Sequence, residues 1–143
     1  MGTTVTGYHA NVWQHFRAPR NAGMFAPGTP GVVSGRAGNA QHGREVEMAL
    51  RLDEDARILE CRYRVYGCPA TIALCSLASE ALRGQPLAAA ATYSVLALAE
   101  SLRLAAEKRA AALVVEDALR EAAAGYNGPL PPYAAATVQA KQV

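Results

Sequence analysis

Cysteine is scarce, and the little there is does not pair. The three cysteines, Cys61, Cys68 and Cys75, are an odd set in 143 residues, without the even count and density of a secreted disulfide framework. Reduced thiols in a cytoplasm are the expectation. An excess of charge is also lacking. Fourteen Lys and Arg against twelve Asp and Glu leave a net charge of +2, too mild to argue for nucleic acid or an acidic membrane as partner. Long apolar runs are missing too: Pro86 to Ala99 is alanine-rich and too short to cross a bilayer. Residues 1–30 hold no apolar signal-peptide core, and the fit of Met1 to Thr6 to a myristoylation pattern is too short to carry weight. No carboxylate pair, nucleophile triad or dinucleotide loop occurs, which argues against a hydrolase or an oxidoreductase and for a protein that is not an enzyme.

What is present is a junction. Arg57 to Val65 alternates apolar and polar residues, the period of a half-buried strand. Ile72 to Arg83, closed by Gly84, reads as a helix with a glycine just past its end. Between them stands Val65-Tyr66-Gly67-Cys68-Pro69-Ala70-Thr71. Pro69 suits the first helical position, which makes Cys68 the N-cap. A thiol there faces unpaired N–H groups and the positive end of the helix dipole, which favours thiolate. Taken alone, Cys68 is either such a thiolate or a small cysteine kept by packing.

Along the rest of the chain, Tyr8 to Arg17 places Val12, Trp13 and Phe16 on one helical face, and Pro19 ends that helix. Val32 and Val33 open a short strand that decays at Gly35 and Gly38, and Gly38 to Gly43 connects a hairpin. Val46, Met48, Leu50 and Leu52 alternate with Glu45, Glu47, Ala49 and Arg51 as a strand with one wet face. On the next strand Leu59, Cys61, Tyr63 and Val65 share the inner face. Pro86 to Ala91 starts a short helix, Ser94 caps another, and a long helix runs from Leu104 or Glu107 to Ala124 with Leu113, Val114 or Val115, Ala118 and Ala122 inward. Strands first and helices afterwards predict an α+β fold: a three-stranded antiparallel sheet with helices packed on it. One domain spans residues 1–126, and residues 127–143 form a flexible tail rich in proline and alanine.

In this order the pieces resemble the IscU/NifU N-terminal family of iron–sulfur cluster assembly scaffolds, over about residues 8 to 126. Tyr8 with His15-Phe16 and Pro19-Arg20-Asn21-Ala22-Gly23 are similar to the family's opening helix and "NPRN-x-G" turn. Val65-Tyr66-Gly67-Cys68 is similar to its "YGC" centre, Ile72 to Glu80 to its "IASSSLATE" helix, and Glu116-Asp117-Ala118 to "AEDA" near the end. The resemblance implies the same α+β fold, a role in cluster assembly, a cysteine desulfurase or other assembly protein as partner, and partner contact at Tyr8 and Lys108. It also leaves room for a homo-oligomer.

The family holds its cluster with three cysteines and a nearby aspartate, with a histidine beside the third cysteine. By that resemblance only Cys68 is kept. His42 stands at the first cysteine and Arg44 at the aspartate, while Ala110 and Ala111 stand at the histidine–cysteine pair. With Cys68 ionised and His42 neutral, the set is formally neutral where the family's is strongly anionic. Two protein ligands beside a cation do not make a closed zinc or [2Fe–2S] site within one chain. Cys68 and His42 are therefore the metal- or cluster-binding candidates, Arg44 is the cation expected to steady the Cys68 thiolate, and Cys61 and Cys75 are expected in the core. His9 and His15 are expected on a helix surface or in packing. The cofactor is a weak or shared [2Fe–2S] cluster, iron or zinc, or none. Two roles follow: a scaffold-like protein with an altered site, handling iron, sulfur or a transient cluster, or a non-metal adaptor or sulfur acceptor that docks on an assembly protein.

Overall fold

Strand β1 (Val32–Asn39) passes through one 3-10 turn at Ala40–His42 into β2 (Arg44–Leu52), and a turn at residues 53–57 sends the chain back as β3 (Ile58–Tyr66). The Asn39 carboxamide accepts the Gln41 N–H at 2.8 Å, and Gly43 closes the turn at φ 96°, a conformation that disfavours any residue with a Cβ. The computed structural model describes residues 10–128 and gives the sheet order β1-β2-β3, antiparallel throughout, which is the expected meander. Tyr8, His9, the segment at residues 1–6 and the tail from residue 129 lie outside the described residues.

Helix α1 (Ala10–Arg17) precedes the sheet, and α2 (Pro69–Leu82), α3 (Leu87–Thr92), α4 (Val95–Ser101) and α5 (Ala106–Ala124) follow it. The buried β2 residues Val46, Met48 and Leu50 pack in one core with Leu74 and Leu82 of α2 and Val115 and Leu119 of α5. Each such aliphatic side chain contributes about 1.5–3 kcal/mol on burial. Helix α4 is capped twice. Ser94 Oγ accepts the Ala97 N–H at 3.0 Å, and the Glu116 carboxylate reaches across from α5 to accept the Leu96 N–H at 2.8 Å.

Several details depart from the sequence pattern. Strand β1 does not decay at Gly35; it stays paired through Asn39. A Cβ at Gly35 would overlap the Ala118 carbonyl and the Ala122 amide of α5, so the glycine admits the helix backbone against the strand instead of ending it. In β3 the inner residue is Ile58, and Leu59 is 38% exposed. The register slips there, pairing Arg51 with Glu60 and Leu52 with Ile58, and Leu59 is the extra residue of a bulge. Ala49, expected on the wet face of β2, is fully buried. On α1 the inward pair is Val12 and His15, three residues apart on one face; Trp13 and Phe16 stack edge-to-face on the flank at 5.7 Å. On α5 the inward residues are Ala111, Ala112, Val115, Ala118, Leu119 and Ala122, while Leu113 is 47% exposed. Alanine is neutral in a hydrophobic pattern, so the phase of this helix is poorly written in its sequence.

Candidate functional site

Cys68 stands where β3 ends and α2 begins, in an extended conformation with Pro69 after it at the first helical position. The expected N-cap is therefore in place. Its sulfur is half-buried, whereas Cys61 and Cys75 are both sealed in the core. Gly67 is part of the arrangement. A Cβ there would sit 3.1 Å from the Cβ and Oγ1 of Thr71, tighter than an ordinary contact, so glycine lets Thr71 tuck beneath the turn. Thr71 is fully buried, with Oγ1 3.4 Å from Cys68 Sγ.

These surroundings decide the state of the thiol. Burial pushes it up, but the Thr71 hydroxyl, the N–H groups of Thr71 and Ala70, and the Lys108 ammonium outweigh burial and bring it below the usual cysteine range. The sulfur makes no capping hydrogen bond to the helix; the amides act as nearby dipoles. Burial pushes Cys61 up to about 12 and pushes Cys75 up further, with Cys61 beside it adding to the effect. Of the three thiols, Cys68 is thus held below the ordinary cysteine range, and Cys61 and Cys75 are buried and raised above it.

The other segments singled out by the sequence approach the same end of the sheet. Glu45 pairs with Tyr66, so the start of β2, just after His42, runs beside the residues that lead into Cys68. Lys108 in the first turns of α5 acts on Cys68 directly. His42, however, is exposed at the tip of its turn. Arg44 is partly buried, with Nε shielded and without a hydrogen-bond partner, and the cation that acts on Cys68 is Lys108. Ala110 is exposed and Ala111 fully buried. Among the described residues no three His, Cys, Asp or Glu side chains gather closely enough to hold a metal ion. Among the described residues, Cys68 and His42 by themselves are too few donors to close an iron, zinc or cluster site.

Sequence reasoning missed Thr71, although its place three residues after an N-cap was a usable signal. It also missed the network that fastens α1 to α2. His15 Nδ1 lies 2.7 Å from Ser76 Oγ, which also accepts the Arg20 N–H at 2.9 Å. Arg20 pairs with Glu80 at 2.6 Å, and Asn21 Nδ2 donates to Ser79 Oγ at 3.0 Å. His15 is accordingly a packing residue, one of the two roles expected of it.

Residues 7–130 match the family described as the NifU-like N terminal domain. The chain belongs to that family. Within the NifU-like family it is 34% identical over 120 residues to "Iron-sulfur cluster assembly protein 2" of Arabidopsis thaliana, across 84% of this chain and 74% of the relative. It is 31% identical over 120 residues to the iron-sulfur cluster assembly scaffold protein IscU of Escherichia coli K12, across 84% of this chain and 94% of that one. A solved structure of a protein from Fervidobacterium islandicum superposes with a TM-score of 0.59 at 14% identity, covering 81% of this chain and 96% of that chain. That likeness shows the fold, and the α+β expectation holds. The Escherichia coli relative is named a scaffold. Among the described residues no helix is long and apolar enough to cross a membrane.

Proposed function

We propose that this chain works in iron–sulfur cluster assembly with an altered site, as a family member that takes up sulfur on Cys68 and does not hold a cluster by its own ligands. One observation carries the reading: Cys68 is the half-buried thiol lowered by Thr71 and Lys108, in surroundings where no third donor joins it among the described residues. The substitutions inferred from the family pattern support it. His42 stands in place of one cysteine, Ala110 and Ala111 in place of the histidine–cysteine pair, and Arg44 in place of the aspartate. A site short of thiolates and carboxylate is poor for iron or zinc but adequate for a persulfide.

The chemistry balances without a further reagent. The Cys68 thiolate attacks the outer sulfur of a donor protein's cysteine persulfide. One S–S bond forms, one breaks, and its electron pair leaves on the donor thiolate; the outer sulfur keeps its proton. The donor of this chemistry is a cysteine desulfurase, with Lys108 and Tyr8 in the docking contact and a cytoplasmic setting consistent with reduced thiols. The domain, on this reading, occupies residues 1–126. Incubation with a cysteine desulfurase and L-cysteine, followed by peptide mass spectrometry, is expected to place the mass of one sulfur atom on Cys68 alone. Absence of that adduct from Cys68 overturns the sulfur-acceptor role.

The second reading is a transient cluster shared with another chain, either a second copy or a partner, with Cys68 and His42 each supplying a ligand. The exposure of His42 at the tip of its turn favours this version over any site closed within one chain.

A further inference from the structure

The geometry points to Thr71 as the positioning residue of Cys68: its hydroxyl fixes the sulfur at the mouth of α2 for the sulfur-accepting step, an inference that rests on the reading above. Three separate features lead there. Thr71 is fully buried, so its hydroxyl has no bulk water to bond, and Cys68 Sγ lies 3.4 Å from it. The preceding residue is Gly67, and a side chain there would press on both Thr71 Cβ and Oγ1 at 3.1 Å; the turn is built around the threonine. The third feature is chemical direction. A thiolate is an acceptor without a proton, so when Cys68 is ionised the bond has one possible sense, Thr71 O–H to sulfur. When Cys68 is a thiol, that constraint disappears and the hydroxyl is free to turn elsewhere.

Thr71 is thus matched to the charged form of Cys68. It sits in the first turn of the helix, where a β-branched residue has few rotamers, so it offers the hydroxyl from a fixed place. Lys108 belongs to a different helix and acts through its charge; Thr71 acts through a directed hydrogen bond. The first acts through space, and the second through a hydrogen bond that holds the ionised sulfur at the mouth of α2.

The test is the pH profile of Cys68 alkylation by iodoacetamide, read by peptide mass spectrometry on the full chain, for the parent, Thr71→Val, Thr71→Ala and Thr71→Ser. The hydroxyl-free variants are expected to lose about three- to tenfold in alkylation rate at neutral pH, with the profile displaced toward alkaline pH and the high-pH plateau unchanged. Thr71→Ser, which keeps the hydroxyl, is expected to retain the parental profile. Thr71→Ala keeps the test open if the valine variant does not fold. A parental profile in a folded hydroxyl-free variant overturns the proposal. So does a change in the plateau or new labelling of Cys61 and Cys75, since that reports loosened packing. No sulfur donor enters this measurement. A parent that alkylates as described yet takes no sulfur from the desulfurase therefore refutes the functional reading and leaves the Thr71–Cys68 relationship standing.

Discussion

His15 and Ser76 lie 61 positions apart in the chain, yet His15 Nδ1 and Ser76 Oγ are 2.7 Å from each other. The Ser76 oxygen also accepts the Arg20 N–H, and on the other side of the ring His15 Nε2 faces Glu80 Oε1 at 3.9 Å. Burial lowers the His15 pKa, Glu80 works against that shift, and Arg20 adds to it. Tyr63 of β3 also lies near Ser76, its phenol pushed up to about 12 by burial. Because the folded state prefers neutral His15, its contribution to stability is complete above the ordinary histidine pKa of about 6.5. It is lost as pH falls through the lower folded value. The stability gap between the parent and His15→Gln, measured by urea unfolding, is expected to narrow from about pH 7.5 to about pH 5. A gap that stays constant or widens contradicts the assignment.

Gly35 is the point where α5 and β1 meet backbone to backbone. Because an added Cβ would overlap the Ala118 carbonyl and the Ala122 amide, neither of which is the flexible end of a side chain, Gly35→Ala is expected to cost about 2–3 kcal/mol. Gly43→Ala is the comparison. It meets nothing within 4 Å but sits at φ 96°, so its cost is backbone strain of about 1–2 kcal/mol. Denaturant melts that rank the two in the opposite order contradict the packing described for α5.

The strands were legible because alternation along β2 and β3 is written in large residues such as Met48, Leu50 and Tyr63, whose burial leaves one register open. The bulge at Leu59 was not, since nothing in Arg57-Ile58-Leu59-Glu60 says which of two adjacent apolar residues is the extra one. The α5 stripe was obscured by alanine. In the site, Cys68 and its cap were readable from Gly67-Cys68-Pro69 because proline fixes the first helical position. The part played by Lys108 was not readable, because tertiary packing of α5 brings it toward Cys68 from forty residues later in the chain. Arg44 was singled out by the resemblance, as the residue at the family's aspartate position.

Rebuilding the inferred ligand set tests whether the segments converge. The combined change His42→Cys, Arg44→Asp, Ala110→His and Ala111→Cys supplies two thiolates, a carboxylate and an imidazole around Cys68. Ala110 is exposed, so its histidine fits freely; Ala111 is fully buried, and sulfur there is expected to cost about 1–3 kcal/mol of packing. Replacing Arg44 removes an Nε buried without a partner, which offsets part of that. The fourfold variant is expected to bind zinc and to melt higher with it by mass action, while the parent and the single variants gain little. A folded fourfold variant whose melting is indifferent to zinc shows that the segments do not meet as described.

The most direct measurement offers the chain both cargoes at once. Ferrous iron, L-cysteine and a cysteine desulfurase are supplied without oxygen, the protein is desalted, and its mass is taken under non-denaturing conditions. The account predicts one sulfur atom carried on Cys68, none on a Cys68→Ser variant, and no retained iron. Iron and sulfide retained together in cluster proportions on a single chain would contradict it.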